Sequence, residues 1–179
     1  MRYSAEHKAQ TREKLIVSSG SLAKRGGFSS TGVDALMKAI GLTGGAFYSH
    51  FPSKDDLFSA IVERELSQSA MHMGTRDQQT LERCLSKYLQ LAHVDNVDGG
   101  CPIPALGAEI ARSEVAVREQ AEHWLLRWQQ AWSEILGSDE QAWAYISQCV
   151  GALVVARMLA SPEQQQRVLD GAKAMLKLK

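Results

Sequence analysis

The chain has 179 residues, and its 45% hydrophobic content is enough to build a buried core in one or two small domains. Its 20 Lys and Arg residues balance its 20 Asp and Glu residues, and this zero net charge excludes a uniformly basic coat and an acidic solvating protein. The longest near-continuous apolar run, residues 149–156, is far shorter than the roughly 20 residues of a membrane span, and the chain does not start with an apolar leader. We therefore expect a cytoplasmic protein without a membrane partner.

The charge is distributed unevenly along the chain. Residues 1–54 hold eight basic and three acidic residues, a net charge of +5, so residues 55–179 carry −5. This asymmetry marks the first third of the chain as a candidate for binding a polyanion. A chance fluctuation on a solvated surface would produce the same split.

Helical periodicity begins near the N-terminus. The first helix is expected to end at the pair Gly26 and Gly27, and its apolar stripe consists of Leu15, Ile16, Leu22 and Ala23. A second, short helix with Thr31 as its N-cap is predicted to end at Gly41. Its apolar positions, spaced i, i+3, i+4 and i+7, are Val33, Leu36, Met37 and Ile40.

The rest of the chain also has the pattern of helices. Ser53, Ser138 and Ser161 each precede helix-favouring residues at capping positions, and Pro162 stands where a first helical residue tolerates proline. Because sustained alternation of β-branched residues is missing from the sequence, we predict an all-α fold. The one sizeable irregular stretch, residues 93–104, is expected to form a loop or lid.

Two short helices joined by a glycine-containing turn can place the second helix in a DNA major groove. Phe47 and Phe51, four residues apart, are expected to face inward, which directs their neighbours toward a duplex. The predicted DNA-binding residues are Thr31, Thr43, Gly44, Gly45, Ala46, Tyr48, Ser49, His50 and Lys54. Among these, Tyr48, His50 and Lys54 suit phosphate, and the glycines permit close backbone approach. A helical hairpin that merely packs would have the same pattern.

An ordered series of short motifs runs through residues 5–60. The motifs are Gly27-Phe28, Thr31-x-Val33, Ala39-Ile40-Gly41-Leu42-Thr43, Gly45-Ala46-Phe47-Tyr48-Ser49-His50-Phe51 and Ser53-Lys54-x-x-Leu57. Together they closely resemble the DNA-binding domain of tetracycline-repressor (TetR) family regulators. The chain departs from that pattern at Gly44, where many members of the family carry a side chain able to reach a base, so DNA shape is expected to supply part of the specificity.

The resemblance implies a three-helix N-terminal helix-turn-helix domain, placed at residues 1–54, and a C-terminal helical ligand-binding and dimerisation domain, placed at residues 55–179. It also implies a homodimer joined through the last two long helices. From this we predict a transcriptional regulator, more specifically a repressor, that binds double-stranded operator DNA. A two-fold symmetric regulator fits a pseudo-palindromic operator, from which a small-molecule or redox effector would release it.

Two routes for the effector are open. Trp124 and Trp128, continued by Trp132, form an aromatic stripe that suits either a pocket for an apolar ligand or ordinary core and dimer packing. Cys101, outside the helical stripes that contain Cys84 and Cys149, is the candidate for a reactive thiolate with a lowered pKa or for a merely tolerated thiol. The predicted effector residues are therefore Trp124, Trp128 and Cys101.

The dimer contact is predicted on the helices 139–160 and 162–176. Small and apolar side chains there would allow close packing into an intersubunit four-helix bundle. The predicted interface residues are Ile146, Cys149, Val150, Leu153, Val168, Leu169, Ala172 and Met175.

Enzymatic readings find little support in the sequence. Glu119 and His123 share a helix face, but the ligand set of a zinc or di-iron site is missing, and residues 95–99 form an incomplete calcium loop. Neither a phosphate loop nor a serine-nucleophile motif occurs, so we predict no cofactor and no metal. Two alternatives to a DNA-binding regulator remain: a helical protein-interaction module without DNA binding, and an enzyme that acts in the C-terminal pocket.

Overall fold

The computed structural model describes residues 5–74 and 77–176, and all the regular structure in these ranges is helical. Nine α-helices and one 3₁₀ helix follow one another in this described part. The α-helices are α1 Ala5–Gly26, α2 Val33–Lys38, α3 Lys54–Met73, α4 Gln78–Tyr88, α5 Leu91–Asp95, α6 Ile103–Ala111, α7 Val115–Leu136, α8 Asp139–Met158 and α9 Pro162–Met175. The 3₁₀ helix, Gly44–Ser49, lies between α2 and α3 and is called the recognition turn below. The all-α prediction is confirmed.

Most of the predicted helix ends agree with the structure. The Ser53, Ser138 and Ser161 hydroxyls accept hydrogen bonds from the amides three residues later, as N-caps do. Gly27 and Gly137 have φ of +84° and +74°, the left-handed conformation that ends α1 and α7.

The N-cap predicted at Thr31 is wrong. Gly32 occupies the cap of α2, and the Thr31 hydroxyl instead donates to the Gly27 carbonyl oxygen at 2.8 Å. The turn between α1 and α2 is tight enough to satisfy that hydroxyl locally, which leaves it out of reach of the α2 amides. The predicted 93–104 loop is also shorter than expected, because α5 extends to Asp95 and α6 starts at Ile103.

Two apolar clusters hold the fold together. The first joins α1, α2, the recognition turn and most of α3, and it also takes in four residues from α6 and α7, namely Leu106, Ile110, Val117 and Ala121. The second lies among α4, α7, α8 and α9. α3 begins at Lys54, near the predicted domain boundary, but its buried residues belong to the first cluster as far as Leu66. The N-terminal third is therefore anchored directly on α6 and α7.

Candidate functional site

The recognition turn presents a short exposed surface, and two buried phenylalanine rings support it from below. Phe47 is fully buried and Phe51 nearly so, with ring centroids 6.1 Å apart, whereas 69% of Tyr48 is exposed. Thr43, Gly45 and Ser49 are also exposed, and Gly44, Ala46 and His50 are half-buried. The inward position of the two phenylalanines therefore determines which side chains can meet a duplex.

The space that a side chain at Gly44 would need is filled by another residue of the protein. A Cβ added there would overlap the carboxylate of Asp34, which stands on α2, whereas a Cβ at Gly45 would meet nothing within 4 Å. Only one of the two glycines thus lies in open space. Gly45 is the position at which a partner could approach the backbone closely.

The Lys54 ammonium group makes two contacts within the protein. Its Nζ donates to the Ser29 carbonyl oxygen at 3.1 Å and lies 4.8 Å from the centroid of the Phe28 ring. An ammonium group has three donors, so the remaining ones can still face a phosphate.

A basic cluster from α1 flanks the recognition turn, and the sequence-based selection of residues missed it. Burial lowers the pKa of His50, and the nearby charges of Lys8 and Arg12 lower it further. The Arg12 guanidinium also lies 4.4 Å from the centroid of the Phe51 ring, which fixes it beside the turn. The i, i+4 spacing of Lys8 and Arg12 on one face of a helix was the available signal.

A cavity of about 640 Å³ lies between the N-terminal and C-terminal parts of the described chain. α1, α3, α4 and residues 90–102 form its walls. Val17 and Lys24 line the α1 side, Cys84 and Tyr88 the α4 side, and Cys101 the loop side. The volume falls within the range of small-molecule sites.

His93, which lines this cavity, is the centre of a polar cluster. His93 Nδ1–H donates to the Tyr88 carbonyl oxygen at 2.8 Å, and His93 Nε2 accepts from the Cys101 amide at 3.0 Å. The Arg157 guanidinium donates to the carbonyl oxygens of His93 and Val94. The His93 ring is thereby held in one neutral tautomer.

The expectation of a reactive Cys101 thiolate is not met by this environment. Cys101 is only 8% exposed, and burial raises the pKa of its thiol in spite of hydrogen bonds with Tyr88 and Ser69. Burial likewise raises the pKa of Cys149 to about 12. Cys84, which the sequence placed on an apolar stripe, is the half-buried one of the three.

The His93 arrangement predicts a pH dependence of stability. Burial, together with the positive charge of Arg157, lowers the pKa of His93 below its ordinary value of 6.5, although the bond to the Tyr88 carbonyl partly opposes this. The unfolded chain therefore binds the proton more tightly, and the free energy of unfolding should decrease as the pH falls below about 6.5. In urea titrations from pH 8 to 5, His93→Gln should show a shallower decrease than the wild type. Equal slopes for the two proteins would contradict this prediction.

The tryptophan stripe lies in the core rather than around the larger cavity. Trp128 and Trp132 are at most 2% exposed and pack edge to face, with centroids 5.1 Å apart. Trp124 is half-buried, and its indole N–H donates to Glu63 Oε2 at 2.8 Å. None of the three lines either of the two cavities described here. Of the predicted effector residues, Cys101 lines the larger of these cavities, whereas Trp124 and Trp128 line neither.

Most residues predicted for a dimer contact are buried within the chain itself. Those at most 4% exposed are Ile146, Cys149, Leu153, Leu169 and Ala172. Val150 and Val168 are half-buried, and Met175 is 75% exposed. The opposite face of α8 and α9 carries an outward-facing small and apolar stripe, called the outer stripe below. It consists of Gly151, Val154, Val155 and Met158 on α8 and Gly171, Ala174 and Met175 on α9.

Within residues 5–74 and 77–176, three or more His, Cys, Asp or Glu side chains nowhere cluster as a metal site would require. In the same ranges, every helix is too short or too polar to cross a membrane.

Comparison with protein-family profiles gives two matches. Residues 16–61 match the profile of bacterial regulatory proteins of the tetR family, and residues 78–172 match the profile of tetracyclin repressor-like C-terminal domains. The first match covers the region that contains the recognition turn. The second alone covers more than half of the chain.

Curated relatives match over part of the chain. The nucleoid occlusion factor SlmA of Glaesserella parasuis serovar 5 (strain SH0165) is 33% identical over 86 residues, 48% of this chain and 41% of that protein. The HTH-type transcriptional regulator AcrR of Shigella flexneri is 43% identical over 60 residues, 34% of this chain and 27% of that protein. These matches span less than half the length of either relative.

Solved structures match over nearly the whole chain. The reduced form of Escherichia coli NemR has a TM-score of 0.75 at 23% identity and covers 94% of this chain and 96% of that one. A TetR transcriptional regulator from Chloroflexus aurantiacus J-10-FL has a TM-score of 0.79 at 21% identity, with 96% and 94% covered. These likenesses concern the fold. With two family profiles matched and the fold shared, the chain belongs to the TetR family of bacterial regulatory proteins.

Proposed function

We propose that this regulator is a dimeric transcriptional repressor that leaves a pseudo-palindromic operator when a small molecule enters the cavity between its two parts. The observation that carries the proposal is the recognition turn, which exposes Tyr48 and is followed by His50, close to the charges of Lys8 and Arg12. A short helix with small and hydrogen-bonding outer residues, flanked by cations, suits a major groove and its phosphates.

Contacts to DNA divide into two kinds. Thr43, Ala46 and Ser49 are small enough for base edges or thymine methyl groups, and Gly45 lets the backbone approach. Tyr48, Lys54, Lys8 and Arg12 are suited to phosphate. The Ser49 hydroxyl donates to the Ala46 carbonyl oxygen at 2.7 Å, so toward a base it would act as an acceptor.

The homodimer is proposed to form through the outer stripe. Its residues lie on the side of α8 opposite the buried Cys149, Leu153 and Ala156, and its two glycines permit close helix packing. Met158 and Met175, at 77% and 75% exposure, are large apolar groups that a second copy would cover. Of the sequence-predicted contacts, Val150, Val168 and Met175 are compatible with this surface.

A pocket ligand fits the effector role better than oxidation of Cys101. The buried, protonated Cys101 thiol is a poor nucleophile, since thiolate character and solvent access govern oxidation. The cavity meets α1 directly through Val17, Ser21 and Lys24, so a ligand there would touch the DNA-binding part itself. Release requires the ligand to prefer the conformation that does not fit DNA.

The salt dependence of DNA affinity tests the phosphate contacts. A duplex selected by the wild-type protein from a random library should show two half-sites separated by whole helical turns. Because each phosphate contact releases about one counterion, Arg12→Ala should lower the slope of log affinity against log salt by about one and weaken all sequences alike. Fluorescence anisotropy at several salt concentrations measures both effects.

The matched control for Arg12 is Arg83→Ala, a basic residue on the exposed side of α4. It should leave affinity and slope unchanged. Loss of DNA affinity that is insensitive to salt, or an Arg12 variant indistinguishable from the control, would count against the proposed surface.

A further inference from the structure

Two backbone amides at the start of the helix-turn-helix donate to one carboxylate from α6. The Phe28 amide lies 2.7 Å from Glu109 Oε1, and the Ser29 amide lies 2.8 Å from Glu109 Oε2. The Ser29 hydroxyl donates to the same Oε2 at 2.7 Å. Hydrogen bonds to an ionised acceptor are shorter and stronger than neutral ones.

These bonds keep Glu109 ionised. Burial by itself would raise the pKa of its carboxyl, but the bonds from the Ser29 hydroxyl and from the amides of Phe28 and Ser29 outweigh burial and lower it. Within residues 5–74 and 77–176, Glu109 is the acceptor recorded for both amides. Without Glu109, the Phe28 and Ser29 amides would donate their hydrogen bonds to water instead.

The carboxylate fixes the turn that leads into α2. Gly27 there takes φ of +84°, and the Ser29 carbonyl oxygen accepts from Lys54 at the start of α3. The turn is thus held from one side by α6 and from the other by α3. Its position sets where α2 and, after it, the recognition turn can lie.

The segment just before α6, residues 96–102, is bound to α1 as well. The Asp98 carboxylate pairs with Arg25, with Oδ1 3.0 Å from Nε, and the Asp98 carbonyl oxygen accepts from Lys24. Lys24 is buried and also pairs with Glu65 of α3 at 2.8 Å. Residues 96–102 form part of the cavity wall and lead directly into α6.

We propose that Glu109 is a positioning residue for DNA binding: from α6, it holds the entry to the helix-turn-helix in the orientation that fits the operator. The inference rests on the proposed function, because operator binding is what the orientation serves. The proposed role is indirect, because the Glu109 carboxylate is bound by the Phe28 and Ser29 amides. The segment that runs from residues 96–102 into α6 joins the cavity wall to the DNA-binding part. A ligand in the cavity could therefore change the orientation of the helix-turn-helix through α6.

The experiment compares Glu109→Gln, Glu109→Asp and Glu119→Gln in the full-length protein. Glu119, exposed on α7, is the matched control for loss of one carboxylate. Amide hydrogen exchange at Phe28 and Ser29 reports the local bonds, and anisotropy with the selected duplex reports DNA affinity. Thermal unfolding reports global stability.

We expect Glu109→Gln to speed exchange at Phe28 and Ser29 by about tenfold and to weaken DNA binding by about five- to tenfold, with an unchanged salt slope. Glu109→Asp keeps the charge but is one methylene shorter, so it should give intermediate values even if the glutamine variant folds poorly. Glu119→Gln should match the wild type.

Glu109 variants that bind the duplex as tightly as the wild type overturn the proposal. So does a loss of affinity without faster exchange at the two amides, because the effect would then arise elsewhere. A wild-type protein that binds no duplex instead refutes the proposed function, while the exchange rates still report whether Glu109 holds the turn.

Discussion

Leu153→Glu is expected to unfold the chain rather than to separate a folded dimer. Leu153 is fully buried in the cluster formed by α4, α7, α8 and α9. A carboxylate there would be desolvated without a partner, and the leucine packing would be lost, for a total cost of about 5 kcal/mol or more. Because whole domains are stable by only about 5–15 kcal/mol, far-ultraviolet circular dichroism should show a mostly unfolded or aggregated protein.

Val155→Glu, two residues along the same helix, is the matched control. Val155 is 46% exposed and belongs to the outer stripe, so its carboxylate would remain in water in the monomer and be buried only in a dimer. This variant should keep the helical signal and sediment as a monomer. The assignment of the two faces of α8 would be wrong if Leu153→Glu remained folded, or if Val155→Glu formed dimers as tight as the wild type.

Phe47→Ala should abolish DNA binding by destroying the support of the recognition turn. The Phe47 ring is fully buried and packs against Phe51 and edge-on against Tyr48, with a centroid distance of 5.3 Å to the latter. Truncating a buried phenylalanine costs about 3–5 kcal/mol, a large fraction of the stability of a small domain. Chemical denaturation and anisotropy with the selected duplex measure the two losses together.

The neighbouring Tyr48→Ala separates affinity from stability. Because 69% of Tyr48 is exposed, its truncation should change the free energy of unfolding by no more than about 0.5 kcal/mol while weakening binding to every duplex. Equal loss of stability in the two variants would show that the ring of Tyr48 is structural. Undiminished DNA binding by the Phe47 variant would contradict the buried support.

Local signals in the sequence predicted much of this fold. Serine caps, terminal glycines and the i, i+3, i+4 spacing act within one or two helical turns, which is why Ser53, Gly27 and the inward Phe47 are where they were expected. The motif series in residues 5–60 predicted the family, and the two family profiles confirm that the chain belongs to a family of bacterial regulatory proteins.

Other features depend on contacts between distant residues. An apolar stripe reveals which face of a helix avoids water but not what covers it. The stripe therefore predicts a dimer contact for Leu153 and leaves a pocket and core packing open for Trp128, whereas the chain's own core buries both. The burial of Cys101 and the hydrogen bond that Ser29 donates to Glu109, 80 residues away, arise only when helices assemble. Periodicity within one helix carries no information on such pairs.

The overlap between Gly44 and Asp34 constrains how this protein could acquire a new operator preference. A base-reading side chain at position 44 has no room while the Asp34 carboxylate occupies that space. Any replacement of Gly44 therefore requires the exposed Asp34 side chain to turn aside. Libraries that vary positions 34 and 44 together would separate the replacements of Gly44 that this rotation accommodates from those that need a different residue at position 34.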